Sequence, residues 1–286
     1  MSNNITNILL KKLKKIFSDG YKPQTVKLID NANHLLKHEF NVLGSGFIKV
    51  NYGMKCLGFE KNNYSDETIT YQSILKTIPI EYENISNKAR GLASVFVPGY
   101  IPIDWHIDIK SGYRFPLKHH DEIGYGFCEG VDAKVASDLS RGYNLVTLAV
   151  AWKSTRDVRY RNVVMAQMMD WLSVNPCKYG AAWRGNMNVA IRIVNWIVAI
   201  TLIFSENNCF NLAEKEFFDL FIRSLKEHRR FISENLEFPE DIYHPNHYVG
   251  NLGGLLVASA VCREFDEDSS AWYKLVFREI KNEVIR

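Results

Sequence analysis

The chain has 286 residues and a mass of 33.0 kDa, with 47% hydrophobic and 23% charged residues. A chain of this composition buries a core without disulfides or structural metals, which excludes disordered, collagen-like and disulfide-scaffold classes. The 35 basic and 32 acidic residues leave a net charge of +3, too small to predict a nucleic-acid partner.

Residues 1–17 open as a basic amphipathic helix, with Ile5, Ile8, Leu9, Leu13 and Ile16 interleaved with Lys11, Lys12, Lys14 and Lys15. That interleaving is not the continuous apolar region of a secretory signal, so a cytoplasmic location is predicted, with periplasmic or exported locations left open. The helix either packs on the body of the protein or lies on a membrane surface. A second helix is predicted at 25–36, and Gly44-Ser45-Gly46 reads as a turn. Weak helical periodicity marks 66–78 and 85–95. Residues 100–130, which carry Pro102, Pro116, Gly112, Gly124, Gly126 and Gly130, read as one long irregular stretch of the kind that lines a cleft.

From residue 132 the pattern turns to long helices with short connections. They are predicted at 132–152, 157–174 (ended by Asn175-Pro176), 181–204, 211–235, 246–265 and 269–286. Asn211 with Glu214 three residues later is a capping-box signature. The longest apolar run, 196–204, falls short of the roughly 20 residues that cross a bilayer, so no transmembrane segment is predicted. Strand alternation is nearly absent. The fold class is all-α, built from antiparallel helical hairpins, with an N-terminal helical region at 1–100 and a second region at 101–286. The last helix keeps its amphipathic period through Trp272, Leu275, Val276 and Ile280 up to the final residue, as in a chain interrupted within a larger fold. Five cysteines, an odd number with no CxxC pair, read as reduced thiols; no metal or other cofactor is predicted.

Four segments carry candidate chemistry. Residues 103–113 set Asp104, Trp105, His106, Asp108 and Tyr113 close in sequence, as either a cleft wall or a buried polar network that organises the loop. After Gly180, Trp183, Met187, Ala190, Ile191, Val194 and Val198 fall on a core face. Arg184, Asn188, Arg192 and Asn195 fall on another, which suits an anionic ligand, a solvated face or a buried link between helices. His244-Pro245-Asn246-His247-Tyr248 sits at a loop-to-helix junction. There Asn246 and His247 either donate to an anion or serve as a cap and a packed ring. His244 and His247 could otherwise join His119 and His120 in a metal site. Lys118-His119-His120-Asp121 reads as an exposed loop. A glycosidase site would need two opposed carboxylates, for which Asp104, Asp108, Glu129 and Asp132 are the nearest candidates. No Walker loop, GxGxxG after a strand, GxSxG elbow or HExxH occurs.

Several pieces, in order, resemble the heparinase II/III-like polysaccharide lyase family. They are FNVLGSG at 40–46, IDWHIDIKSGYRF at 103–115, GVDAKVASDLSR at 130–141, DWLSVNPCKYGAAWRGNMNVAIRIVNW at 170–196, NLEF at 235–238 and NHYVGNLGGLL at 246–256. The resemblance covers residues 38 to 286. It implies an incomplete (α/α) toroid of helical hairpins, followed in the family by further toroid helices and a β-sandwich. It also implies β-elimination on uronic-acid-containing polysaccharides such as glycosaminoglycan or alginate. Asn246 and His247 match the Asn-His pair that contacts the substrate carboxylate, and Trp105, His106, Trp183, Asn188 and Arg192 are expected to line the cleft. The family's catalytic Tyr segment would follow Arg286, so a half-site, inactive alone, is expected. A non-catalytic anionic-carbohydrate-binding fragment is the alternative. An exposed toroid seam would favour self-association. Ser137-Asp138 stands where the family often has Trp-Glu, and Pro245 before the Asn-His pair is a further departure.

Overall fold

The structure is a computed structural model that describes residues 25–124, 128–205, 209–237, 245–263 and 265–285. The predicted helix at 1–17 and the loop carrying Pro239 and His244 lie outside the described residues. About 62% of the chain is helical against 4% strand, so the fold is all-α. It divides into two compact units, Pro23–Arg184 and one formed chiefly by Gly185–Arg286.

The first unit begins with α1 (Thr25–Leu36), followed by a minimal antiparallel pair, β1 (Glu39–Phe40) and β2 (Ile48–Lys49), in register Glu39 with Lys49 and Phe40 with Ile48. The weak periodicity at 66–78 contracts to a single turn, α2 (Tyr71–Leu75), held by a Thr70–Ser73 capping box. Pro79 follows, and a Pro at that point disfavours helix in the residue before it. Next come α3 (Glu83–Phe96), α4 (Ala133–Leu139), α5 (Tyr143–Thr155) and α6 (Val158–Val174). α6 is buried on nearly every side: α3, α5 and α1 all pack against it. α3 and α6 thus pack together from either side of residue 100 in the sequence.

The helix predicted at 132–152 is two helices. Gly142 adopts φ +79° between them, a left-handed conformation that a helix interior cannot contain. Asp132 caps α4 by accepting from Lys134 N at 2.8 Å. The helix predicted at 181–204 is likewise split, into a 3₁₀ turn (Ala181–Trp183) and α7 (Asn186–Phe204), because Gly185 sits at φ +78°.

The second unit holds α7, α8 (Leu212–Glu234), α9 (Pro245–Cys262) and α10 (Glu267–Ile285), with α9 packed on the other three. The predicted capping box starts α8: Glu214 N donates to Asn211 Oδ1 at 2.9 Å, and Asn211 N to Glu214 Oε2 at 3.0 Å. α7 is long and apolar enough to cross a bilayer by length and composition. Its apolarity is accounted for by packing, since Val189, Ile193, Trp196, Ile197, Ile200, Ile203 and Phe204 are all buried. Phe204, Phe217, Phe218 and Phe221 form an aromatic cluster between α7 and α8, with Phe204 and Phe218 centroids 4.8 Å apart.

Candidate functional site

α9 starts at Pro245, whose fixed φ and missing N–H suit the first helical position. Asn246 and His247 therefore lie inside the first turn, and Asn246 is not the cap that its sequence position suggests. Asn246 is exposed and His247 half-buried. The backbone N–H groups of this turn have no intrahelical acceptor, which makes the helix start attractive to negative charge. One carboxylate is already there. Glu237 Oε1 accepts from His247 Nδ1 at 3.2 Å, and Oε2 accepts from Asn251 Nδ2 at 3.0 Å. Glu237 falls within the NLEF piece, but a carboxylate ten residues ahead of a histidine gives no periodic signal, and sequence reasoning assigned it no role.

Trp105, His106 and Trp183 converge on the end of α6, in the core and not on a surface. Trp105 is 3% exposed, and its Nε1 donates to Asp170 Oδ2 at 2.9 Å. His106 Nε2 pairs with the Val174 carbonyl at 3.0 Å, and Trp183 Nε1 donates to the Asn175 carbonyl at 3.4 Å. Asn175-Pro176 ends α6 and leaves its last carbonyls without intrahelical donors; His106 and Trp183 sit against two of these carbonyls, while Trp105 serves the Asp170 carboxylate. Burial is thus the physical reason why neither Trp contacts solvent, and it pushes the His106 pKa down to about 4.

The rest of the 103–113 segment is the buried-network alternative. Asp108 accepts from Lys110 N at 2.9 Å, Ser111 Oγ at 2.6 Å and Asp132 N at 3.1 Å, while Asp104 pairs with Arg114. Of the four carboxylates, Asp104 and Asp108 are buried within this network, Asp132 is a helix cap and Glu129 is exposed. Asp170 Oδ2 accepts from Tyr100 Oη, Ile103 N and Trp105 Nε1. Burial nevertheless raises its pKa to about 7.

The polar stripe after Gly180 separates. Arg184 lies before α7 and off its helical face; Asn188 and Asn195 are half-buried; Arg192 is completely buried. Arg192 Nε donates to His228 Nε2 at 2.9 Å, and His228 Nδ1 pairs with the Ser224 carbonyl at 2.7 Å. Of the alternatives, Arg192 is therefore a buried link between α7 and α8.

Among the described residues, His119, His120 and Asp121 have ligand atoms within 4.8 Å of one another. Burial lowers the His120 pKa; Asp121 acts on it as nearby negative charge, and Lys178 and Arg184, more weakly, as positive charge. Asp121, predicted exposed with its neighbours, is 73% exposed, whereas the His120 side chain is only 13% exposed.

Comparison with known families matches residues 61–286 to the heparinase II/III N-terminus. The chain belongs to the heparinase II/III family. The matched stretch contains both compact helical assemblies from α2 onward, Glu237 and the Asn246-His247 pair, while α1 and the β1–β2 hairpin precede it. No curated protein and no solved structure matches the chain.

Proposed function

We propose that this heparinase II/III chain provides the carboxylate-binding part of a polysaccharide lyase site that acts on uronic-acid-containing polymers by β-elimination. The observation that carries the reading is the Asn246-His247 pair on the first turn of α9, with Glu237 clamped against it. Elimination at a uronate requires its carboxylate to be neutralised so that the C5 proton becomes acidic. A base then takes that proton, and an acid protonates the leaving O4 oxygen. An Asn amide and a His N–H at a helix start supply donors for the first requirement. Glu237 as a carboxylate can only accept, so it holds a proton on His247 Nδ1, and Nε2 donates to the substrate carboxylate in the imidazolium form of the ring.

The test is the natural protein that contains this chain, incubated with alginate and with heparan sulfate and followed by the absorbance of the unsaturated uronate ends. Product is expected on one of them, with His247→Ala lowering the rate by about 10²-fold or more. Full activity in His247→Ala would overturn the residue assignment. Binding of an anionic oligosaccharide with no unsaturated product would replace the lyase by a non-catalytic carbohydrate-binding protein.

A further inference from the structure

A cavity of about 460 Å³ opens in the first unit, remote in sequence from Asn246 and His247. Its walls come from α1 (Lys27, Asn31), the β1–β2 hairpin (Asn41, Phe47) and the start of α5 (Tyr143, Thr147). The size is that of a small-molecule pocket. Phe47 and Tyr143 are large rings left 39% and 51% exposed at its edge. Phe47 is held rigidly: it stacks on His34 with centroids 3.8 Å apart, and His34 Nδ1 is fixed by Glu39 Oε2 at 2.5 Å. The hairpin tip is strained, since Leu43 adopts φ +50° without being glycine and its side chain is 42% exposed. Strain of this kind gathers at ligand clamps. Asp138 also lines the cavity, but Arg141 neutralises it at 2.6 Å, so Lys27 sets the sign of the wall.

We propose that this pocket is a second saccharide site, taking one acidic sugar residue of a polymer. Exposed rings offer faces for the C–H side of a pyranose. The Asn31 amide and the Asn41 Nδ2 offer hydrogen-bonding groups for its hydroxyls, and Thr147 Oγ1, which donates to the Tyr143 carbonyl, can accept from one. The Lys27 ammonium selects a carboxylate over a neutral ring. The polymer class rests on the lyase reading, whereas the pocket does not: none of its lining residues belongs to the Asn246-His247 site.

The experiment is calorimetric titration of the 286-residue chain with an alginate hexasaccharide and with uncharged maltohexaose. The acidic oligomer is expected to bind at least about tenfold more tightly. Phe47→Ala and Lys27→Gln, both surface changes, are each expected to weaken it about tenfold with the melting temperature retained. Titrations of both pocket variants that superimpose on the wild type would overturn the proposal, as would equal affinity for maltohexaose or no binding of either oligomer. Loss in His247→Ala alone would refute the pocket and leave the lyase reading standing. Loss in the pocket variants, with no unsaturated product from the natural protein, would refute the lyase and leave the pocket.

Discussion

Glu237 ties His247 to Asn251: one carboxylate oxygen lies 3.2 Å from His247 Nδ1 and the other 3.0 Å from Asn251 Nδ2. The two partners are one turn apart on α9, and Asn251 is fully buried. The clamp both orients the imidazole and satisfies a buried amide. Glu237→Ala is expected to cost about 1–3 kcal/mol in denaturant unfolding, because the Asn251 amide loses its acceptor. Glu237→Gln keeps an acceptor for Asn251, and its own N–H can donate to Nδ1. It should therefore cost less stability but release the fixed tautomer. Nitrogen NMR of the His247 ring reads this directly: the Nδ1–H form dominates in wild type and gives way in the glutamine variant. An unchanged ring spectrum would rule out Glu237 as the positioning residue.

Three histidines are buried as neutral rings, and they set the acid limit of the fold. Burial, helped by Lys49, pushes His38 down to about 4; burial alone lowers His106 to about 4; burial and then Arg192 drive His228 well below its ordinary value. Between pH 6.5 and 4 the unfolded chain therefore binds more protons than the folded one, and stability present above pH 6.5 is lost as pH falls. Each pH unit between the two pKa values is worth about 1.4 kcal/mol per group. Asp170 works in the opposite direction. Burial raises it to about 7, so it adds stability as pH falls from 7 towards 4 and offsets about one histidine. The net expectation is uptake of about two protons on unfolding across this window, enough to unfold a domain of ordinary stability before pH 4. Urea midpoints measured from pH 7.5 to 4 check this, and a flat profile would contradict it. His106→Gln should reduce the slope by about one proton.

The all-α class and most helix bounds were legible because the apolar period survives in α6, α7 and α8, and because the Asn211–Glu214 box is a local signal. The missed breaks at Gly142 and Gly185 have a common cause. A glycine inside an apolar period reads as tolerated, and only the backbone shows φ near +79° and +78°. The Asn-His pair was legible as a motif, while its clamp was not, since Glu237 lies ten residues ahead of His247 in sequence and shares no helix face with it. Trp105, Trp183 and Arg192 show the converse. Their residue types suit a sugar cleft, but the Asp170 carboxylate, the Asn175 carbonyl and the His228 ring are equally good partners, and these are matters of tertiary contact that spacing cannot resolve.

Arg192 and His228 make a buried cation–imidazole link whose geometry requires His228 to present the Nε2 lone pair. Arg192→Ala removes packing and the donor together, and about 3 kcal/mol or more of stability should go with it. The single changes Arg192→Met and His228→Leu each remove one side of the Nε–Nε2 contact and leave the other buried group without it, whereas the double change removes both. A double-mutant cycle should therefore show coupling of about 1–3 kcal/mol, with the double variant more stable than the sum of the singles. Strict additivity would show that the contact contributes nothing.

Two adjacent glycines of α9 should respond to the same substitution with opposite signs. A methyl on Gly254 would meet Ala190 Cβ at 2.5 Å and the Ala190 backbone at 2.7 Å, so α7 and α9 approach closely only because that side chain is missing. Gly254→Ala must push the helices apart or distort α7, and a loss of about 1–3 kcal/mol is expected. A methyl on Gly253 meets nothing within 4 Å. There alanine only removes backbone freedom from the unfolded chain, which should gain about 0.5–1 kcal/mol. Because helix propensity changes by the same amount at both positions, the difference between the two variants isolates the helix contact. Equal shifts in the urea midpoint would mean that α7 and α9 do not pack at Gly254 in solution.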